Sequence, residues 1–246
     1  MNSSPALLLL PNLLGNHASV DMFLPHSVTE TMQTIDGLIA ESDKEGRRYL
    51  KRFATKKPAM EIPIALLNEH TVKNETSMKE EMDFLLEPIV SGERWGLVTD
   101  AGLPCIADPG SNLVLRARQR GIPIEVFVGP SSMLMALLLS GLPGQKFAFQ
   151  GYLDKGPEKQ QEQIKRLSEQ SQRENITHIV MEAPYRNRFL LERLIQILPE
   201  KAYLSVAWDL TLPTQGVVTL TIQQWRSFAL PNIEKKPAVF LFYVGK

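Results

Sequence analysis

Short apolar runs alternate along nearly the whole chain with longer segments in which apolar residues recur every three to four positions. The runs are Ala6–Leu10, Gly37–Ala40, Ile62–Leu67, Trp95–Thr99 and Ile124–Val128 in the first half. In the second half they are Phe147–Gln150, Ile176–Glu182, Tyr203–Trp208, Val217–Thr221 and Ala238–Val244. Runs this short and continuous suit strands covered on both faces. Between them, Met82, Leu85, Leu86 and Ile89 fall at helical spacing, and Leu191, Leu194, Ile195 and Leu198 repeat it before Pro199 stops it. Strand–helix alternation predicts an α/β fold with a mostly parallel sheet and helices packed on its faces. The first run ends at Pro11-Asn12 and no basic residue precedes it. It is far shorter than the roughly 20 apolar residues of a membrane span and lacks the basic start of a signal peptide. It reads as a buried strand, and the chain as a soluble cytoplasmic protein.

At 246 residues with 43% apolar content, the chain has room for two domains of about 100–150 residues. The break is expected near Gly129-Pro130. Ser131 and Ser132 can cap a new helix that runs to Ser140, with Gly141 as its stop. This predicts an N-terminal α/β domain over 1–129 and a C-terminal α/β domain over 130–246. The polar stretch Lys155–Asn175 predicts an exposed helix with a mobile start at Gly156-Pro157. Lys plus Arg and Asp plus Glu each number 27. That balance argues against a general polyanion binder but leaves room for a local basic patch. A lone Cys105 cannot form an internal disulfide, and His17, His26, His70 and His178 sit at no metal-motif spacing.

The segment Trp95–Gly110 carries the sharpest chemical signal. A buried strand runs directly into a loop rich in Gly, Pro and Asp. Ligands of open α/β sheets bind at the carboxyl ends of strands. Gly102 permits close backbone approach, and Asp100 and Asp108 offer acceptors to a ligand's amino or hydroxyl groups. The alternative reading makes Asp108 an ordinary helix cap.

Thr99-Asp100-Ala101-Gly102-Leu103-Pro104, followed by Ile106-Ala107-Asp108-Pro109-Gly110, resembles the signature of the tetrapyrrole methylase superfamily. It is most similar to the branch that methylates a ribose 2′-hydroxyl in small-subunit ribosomal RNA. Pro11–Asn16 resembles that branch's P-I-G-N loop with two residues more. Gly129-Pro130-Ser131-Ser132 with Ala136–Leu142 resembles G-A-S-A…S-G-L, Gln150–Leu153 resembles G-F-L-P, and Glu182–Arg186 resembles E-S-P-H-R. The resemblance implies two α/β domains with S-adenosylmethionine in the cleft between them, and a homodimer. It implies donor contacts from Pro11, Asp100, Ala101, Gly102, Ile106, Ser131 and Ser132. Leu153, Pro184, Ala207 and Ala238 would line the site from the second domain, the last two by strand position alone. The departures cluster on the substrate side. Glu41-Ser42-Asp43-Lys44 stands for E-D-T-R, Asn68-Glu69-His70-Thr71 for H-x-H-N, and Ala207–Leu212 for R-E-L-T-K.

Lys44, Arg47, Arg48, Lys51 and Arg52 fall on one face of a helix, with Leu50 and Phe53 pointing inward and Lys56 and Lys57 extending the stripe. Mutual repulsion along such a stripe would be relieved by an RNA phosphate backbone; the alternative is a solvated face neutralised by nearby acids. A hydroxyl nucleophile would benefit from a general base, for which Asp43, His70 and Glu182 are candidates, His70 having the side chain that titrates nearest pH 7. Three functions stay open: an RNA methyltransferase acting on ribosomal RNA, a tetrapyrrole-type small-molecule methyltransferase, and a non-catalytic binding module. A dinucleotide-dependent oxidoreductase is disfavoured because no G-x-G-x-x-G follows the first strand.

Overall fold

The computed structural model describes residues 4–16, 19–67 and 75–245. The chain divides into two compact units, Met1–Ser131 and Ser132–Lys246. The first unit runs β1 (Ala6–Leu9), α1 (His26–Met32), β2 (Gly37–Ala40), α2 (Asp43–Leu50), β3 (Ile64–Leu66), α3 (Glu75–Val90), β4 (Arg94–Leu97), α4 (Gly110–Gln119) and β5 (Ile124–Val126). Its five strands are ordered β3-β2-β4-β1-β5, and every pairing is parallel. Side chains alternate across the pleat. Leu8 and Leu38 therefore face one core with Val28 and Met32 of α1 and Tyr49 and Leu50 of α2. Leu7 and Ile39 face another with Met82, Leu85, Leu86 and Ile89 of α3 and Leu113 of α4. With both faces covered, the central strands β2, β4 and β1 are buried almost throughout, while the edge strands β3 and β5 stay partly exposed.

The strand order creates a topological switch. The connection leaving β1 leads to β2, beyond β4, and the connection leaving β4 leads to β5, beyond β1. The two loops diverge from neighbouring strands, and such divergence opens a crevice at the carboxyl ends.

The second unit runs α5 (Ser132–Ser140), β6 (Phe147–Tyr152), α6 (Pro157–Glu174), β7 (Thr177–Met181), a 3-10 turn (Pro184–Arg186), α7 (Asn187–Ile197), β8 (Tyr203–Trp208), β9 (Gly216–Thr221), α8 (Ile222–Trp225) and β10 (Ala238–Tyr243). Its sheet is ordered β6-β7-β10-β8-β9. Here the expectation of a mostly parallel sheet fails. Only β6 and β7 pair in parallel; β10 is antiparallel to β7 and β8, and β8 to β9. The reason is local. The Asp209–Gln215 turn between β8 and β9 is shorter than the dozen or so residues a parallel crossover needs, and Asp209 and Thr211 adopt left-handed φ of 49° and 73° within it.

The polar stretch before Asn175 also departs from expectation. One face of α6, carrying Gln160, Ile164, Leu167, Ser168 and Ser171, is buried. Its start is pinned rather than loose: Asp154 accepts from the Gly156 amide at 2.7 Å and from Gln160 at 3.1 Å, and its own amide donates to Gln163 at 3.0 Å. Asn175 ends the helix at φ 58°, a left-handed cap that Asn tolerates. No helix among the described residues is long and apolar enough to cross a membrane.

Candidate functional site

The loops that leave β1 and β4 meet at the switch point, and Asn12 joins them. Its side chain, in a residue only 5% exposed, donates from Nδ2 to the carbonyls of Thr99 at 2.9 Å and Asp100 at 3.0 Å. Its backbone amide donates to the Gly102 carbonyl at 2.7 Å. Its Oδ1 accepts from the Leu13 amide at 2.8 Å and from Arg52 Nη1 at 2.6 Å. One residue earlier, the buried Tyr49 hydroxyl donates to the Pro11 carbonyl at 3.1 Å. Gly129 completes the packing: a Cβ there would lie 2.0 Å from Pro11 Cβ. Gly102 sits at φ 77°, with space for a Cβ limited by Leu14 at 3.3 Å. Pro11, Asp100, Ala101, Gly102, Gly129 and Pro130 are thus brought together. Ser131 is buried at the end of this unit, and Ser132 opens α5.

Carboxylates gather on the β2 side of the same loops. Glu41 accepts from the Thr99 hydroxyl at 2.5 Å and the Asp100 amide at 3.1 Å. Burial, and then the Glu41 and Glu45 charges, push the Asp100 carboxyl above its ordinary pKa. Asp108 Oδ1 accepts from the amides of Cys105 at 3.0 Å and Gly110 at 2.7 Å, holding the entry to α4. The helix-cap reading of Asp108 is therefore realised, although its second oxygen is buried with no hydrogen-bond partner among the described residues. Burial raises its pKa against the pull of those two amides.

Beside the loops, at the carboxyl ends of β1 and β5, lies a hollow of about 370 Å³ lined by Leu9, Leu103, Pro104, Ile106 and Val126–Gly129. Its volume is at the lower end of the range of about 300–1,000 Å³ typical of small-molecule sites. Val126 and Val128 stay exposed there. The lining of this hollow is apolar side chains and backbone, which suits the flat face of a heterocycle.

The second unit carries the other expected residues along one end of its sheet. Tyr152, next to Leu153, pairs with Met181, Met181 with Val239, and Val239 with Ala207, while Ala238 pairs with Trp208. Leu153 and Ala238 belong to the apolar core, Ala207 is fully buried, and Pro184 opens the exposed turn after β7. Glu182 is buried and already engaged, accepting from the Ala183 amide at 2.9 Å and Arg186 Nε at 3.1 Å. Asp43 is exposed in the first turn of α2, 3.4 Å from Arg47. His70 lies outside the described residues.

The basic stripe does not act as one face. Helix α2 ends at Leu50, so Lys51 is its cap and Arg52 lies beyond it. Arg47, with a side chain 19% exposed, donates to the carbonyls of Ala59 at 2.7 Å and Ile62 at 2.6 Å. Arg52 is spent on Asn12, and Lys56 pairs with Asp36. Lys44, Arg48 and Lys51 remain exposed, Arg48 in an exposed pair with Glu45 at 2.8 Å. Neither Asn12 nor Tyr49 was legible as a site residue. Asn12 stands within the recognised first loop, but its partner is 40 positions away and no local pattern links the two.

A doubly wound parallel sheet with its site at the switch point, joined to a second α/β unit with a mixed sheet, defines a two-unit α/β enzyme of the methyltransferase type. The profile described as "Tetrapyrrole (Corrin/Porphyrin) Methylases" matches residues 30–225. The chain belongs to that family, and it is an S-adenosylmethionine-dependent methyltransferase. It is 30% identical over 244 residues to "Ribosomal RNA small subunit methyltransferase I" of Xylella fastidiosa, covering 99% of this chain and 82% of that one. It is 29% identical to the protein of the same name from Thermotoga maritima, over 70% of each. Among solved structures, the methyltransferase CobJ superposes with a TM-score of 0.64 at 18% identity, covering 98% of this chain and 94% of that one. Uroporphyrin-III C-methyltransferase of Thermus thermophilus, complexed with S-adenosylhomocysteine, superposes at 0.54 with 16% identity and covers 97% of each chain. These likenesses show the shared fold.

Proposed function

We propose that this methyltransferase modifies small-subunit ribosomal RNA in the cytoplasm. The observation that carries the reading is the match to ribosomal RNA small subunit methyltransferase I over 99% of the chain. The donor is held by the switch-point loops, Pro11–Asn12 and Asp100–Gly102, with Ile106 and the apolar hollow beside them and Ser131 at the end of the unit. The hollow takes the adenine, and Asp100 accepts from a donor amino or hydroxyl group. S-adenosylmethionine supplies an activated methyl, so the protein's task is to align the acceptor with it and to exclude water. The bonds that Glu182 makes assign it to holding the turn after β7. Lys44, Arg48 and Lys51 offer exposed cations to phosphate at the carboxyl end of β2. A homodimer fits α5, which is apolar from Met133 to Leu139: Leu134, Leu138 and Leu139 are exposed, Leu138 by 82%, where a helix of this kind is ordinarily covered on all sides.

Deleting the gene and mapping ribosomal RNA methylation by mass spectrometry tests the substrate. The expected result is loss of one methyl group from the small-subunit RNA, restored by the purified protein with S-adenosylmethionine. An unchanged methylation map, with labelled methyl passing instead to a carboxylated tetrapyrrole, would establish the small-molecule reading.

A further inference from the structure

We infer that Arg52 is a positioning residue of the donor site: through Asn12 it locks the loop after β1 onto the loop after β4. This rests on the reading that those loops hold S-adenosylmethionine. An asparagine side chain offers two donor hydrogens and an oxygen with two lone pairs, and at Asn12 all four places are taken. The two donors go to Thr99 O and Asp100 O, and the two acceptances come from Leu13 N and Arg52 Nη1. Turning the amide over would set its NH2 against two donors and its oxygen against two carbonyls, so the partners themselves fix its orientation.

Arg52 supplies the one ionised partner in this set, and a hydrogen bond from a charged group is the strongest kind available to a neutral amide. It does so from an unusual position. It lies just past the end of α2, where its backbone amide donates to the Tyr49 carbonyl, and burial together with neighbouring Arg48 lowers its pKa. A cation serving only solubility would extend into water, as Lys51 does. Tyr49 and Arg52, three residues apart, instead reach the consecutive residues Pro11 and Asn12. The end of α2 thus grips the first loop at two points, and that loop grips the Thr99–Gly102 backbone.

The test uses the full chain carrying Arg52→Met, Arg52→Lys or Tyr49→Phe. S-adenosylmethionine binding is followed by calorimetry, methyl transfer by steady-state kinetics and folding by thermal melting. Arg52→Met keeps much of the stem and removes the donor. It should weaken donor binding about ten- to hundredfold, the equivalent of one charge-assisted hydrogen bond. The KM for the donor should rise while kcat at saturating donor stays within about twofold. Arg52→Lys, which restores one donor, should recover part of the loss, and Tyr49→Phe should reproduce a smaller version of it. The lysine and phenylalanine variants carry the test if Arg52→Met does not fold. Donor affinity unchanged in Arg52→Met, with a shallower salt dependence of RNA binding, would make Arg52 a phosphate contact and overturn the inference alone. A folded wild type that binds no donor would overturn both the inference and the donor reading beneath it.

Discussion

Arg47 and Lys51 stand one turn apart, and charge reversal at each should have a different consequence. Arg47→Glu removes the donor that satisfies the Ala59 and Ile62 carbonyls at 2.7 and 2.6 Å. Ile62 is buried at 1% exposure, so its carbonyl has little access to replacement water. A lost hydrogen bond to a charged group is worth about 1.5–3 kcal/mol. The new carboxylate also faces the same oxygens, while the lost pair with the largely exposed Asp43 adds little. The total expected loss is about 2–4 kcal/mol. Lys51→Glu, and the double change with Lys44→Glu, should alter stability by no more than about 0.5 kcal/mol per site. If these lysines touch phosphate, the double variant should lower the log–log salt slope of RNA binding by roughly one to two. Urea melts monitored by circular dichroism give the first quantity, and salt titrations with a small-subunit RNA fragment give the second. An Arg47→Glu midpoint equal to that of wild type would refute the assignment of Arg47 to the interior. An unchanged slope in the lysine double variant would return α2 to a solvated surface.

Three further outcomes follow from other parts of the molecule. Gly129→Ala would place a Cβ 2.0 Å from Pro11, so the first loop must move; donor affinity should fall at least tenfold, with an overpacking cost of about 1–3 kcal/mol, and calorimetry showing wild-type affinity would contradict this placement. Arg94, buried at the amino end of β4, forms a bidentate pair with Glu125 at 3.0 and 3.1 Å and donates to the Ser4 carbonyl at 2.6 Å; Arg94→Met should cost about 2–4 kcal/mol, discounted because Glu125 is a third exposed, yet any folded fraction should bind donor normally, because this end of the sheet is opposite the site. His178 is fully buried, with Nδ1 3.0 Å from Gln150 Nε2, and burial holds its pKa below the ordinary value. The folded protein therefore binds this proton less readily than the unfolded chain, so the contribution is complete above about pH 6.5 and is lost as pH falls toward the folded value, by at most about 1.4 kcal/mol per pH unit; His178→Phe should flatten that part of the urea-midpoint profile, and identical profiles would refute it.

Central strands such as β2 and β10 were legible because burial on both faces leaves a local trace, a run of apolar residues; the partly exposed β3, β5, β6 and β9 showed as short runs rich in apolar and β-branched residues. The loop from Thr99 to Gly110 was legible for a different reason, since the positive φ at Gly102 favours glycine there and the run matches a known family signature. Strand direction in the second sheet had no such trace. The apolar runs of β8, β9 and β10 look alike whether paired in parallel or antiparallel, and the short Asp209–Gln215 turn and the insertion of β10 between β7 and β8 decided it. The cations of α2 divided in the same way. Helical spacing put Lys44, Arg47, Arg48, Lys51 and Arg52 on one stripe, but the carbonyls of Ala59 and Ile62 claimed Arg47, and Asn12 claimed Arg52. Periodicity is a property of neighbours along the chain, so the sequence alone determined which segments became buried elements. A hydrogen bond between residues 40 positions apart depends on where the whole sheet brings its strand ends, and only the tertiary structure could decide which cation faces solvent and which is bonded to the loop after β1.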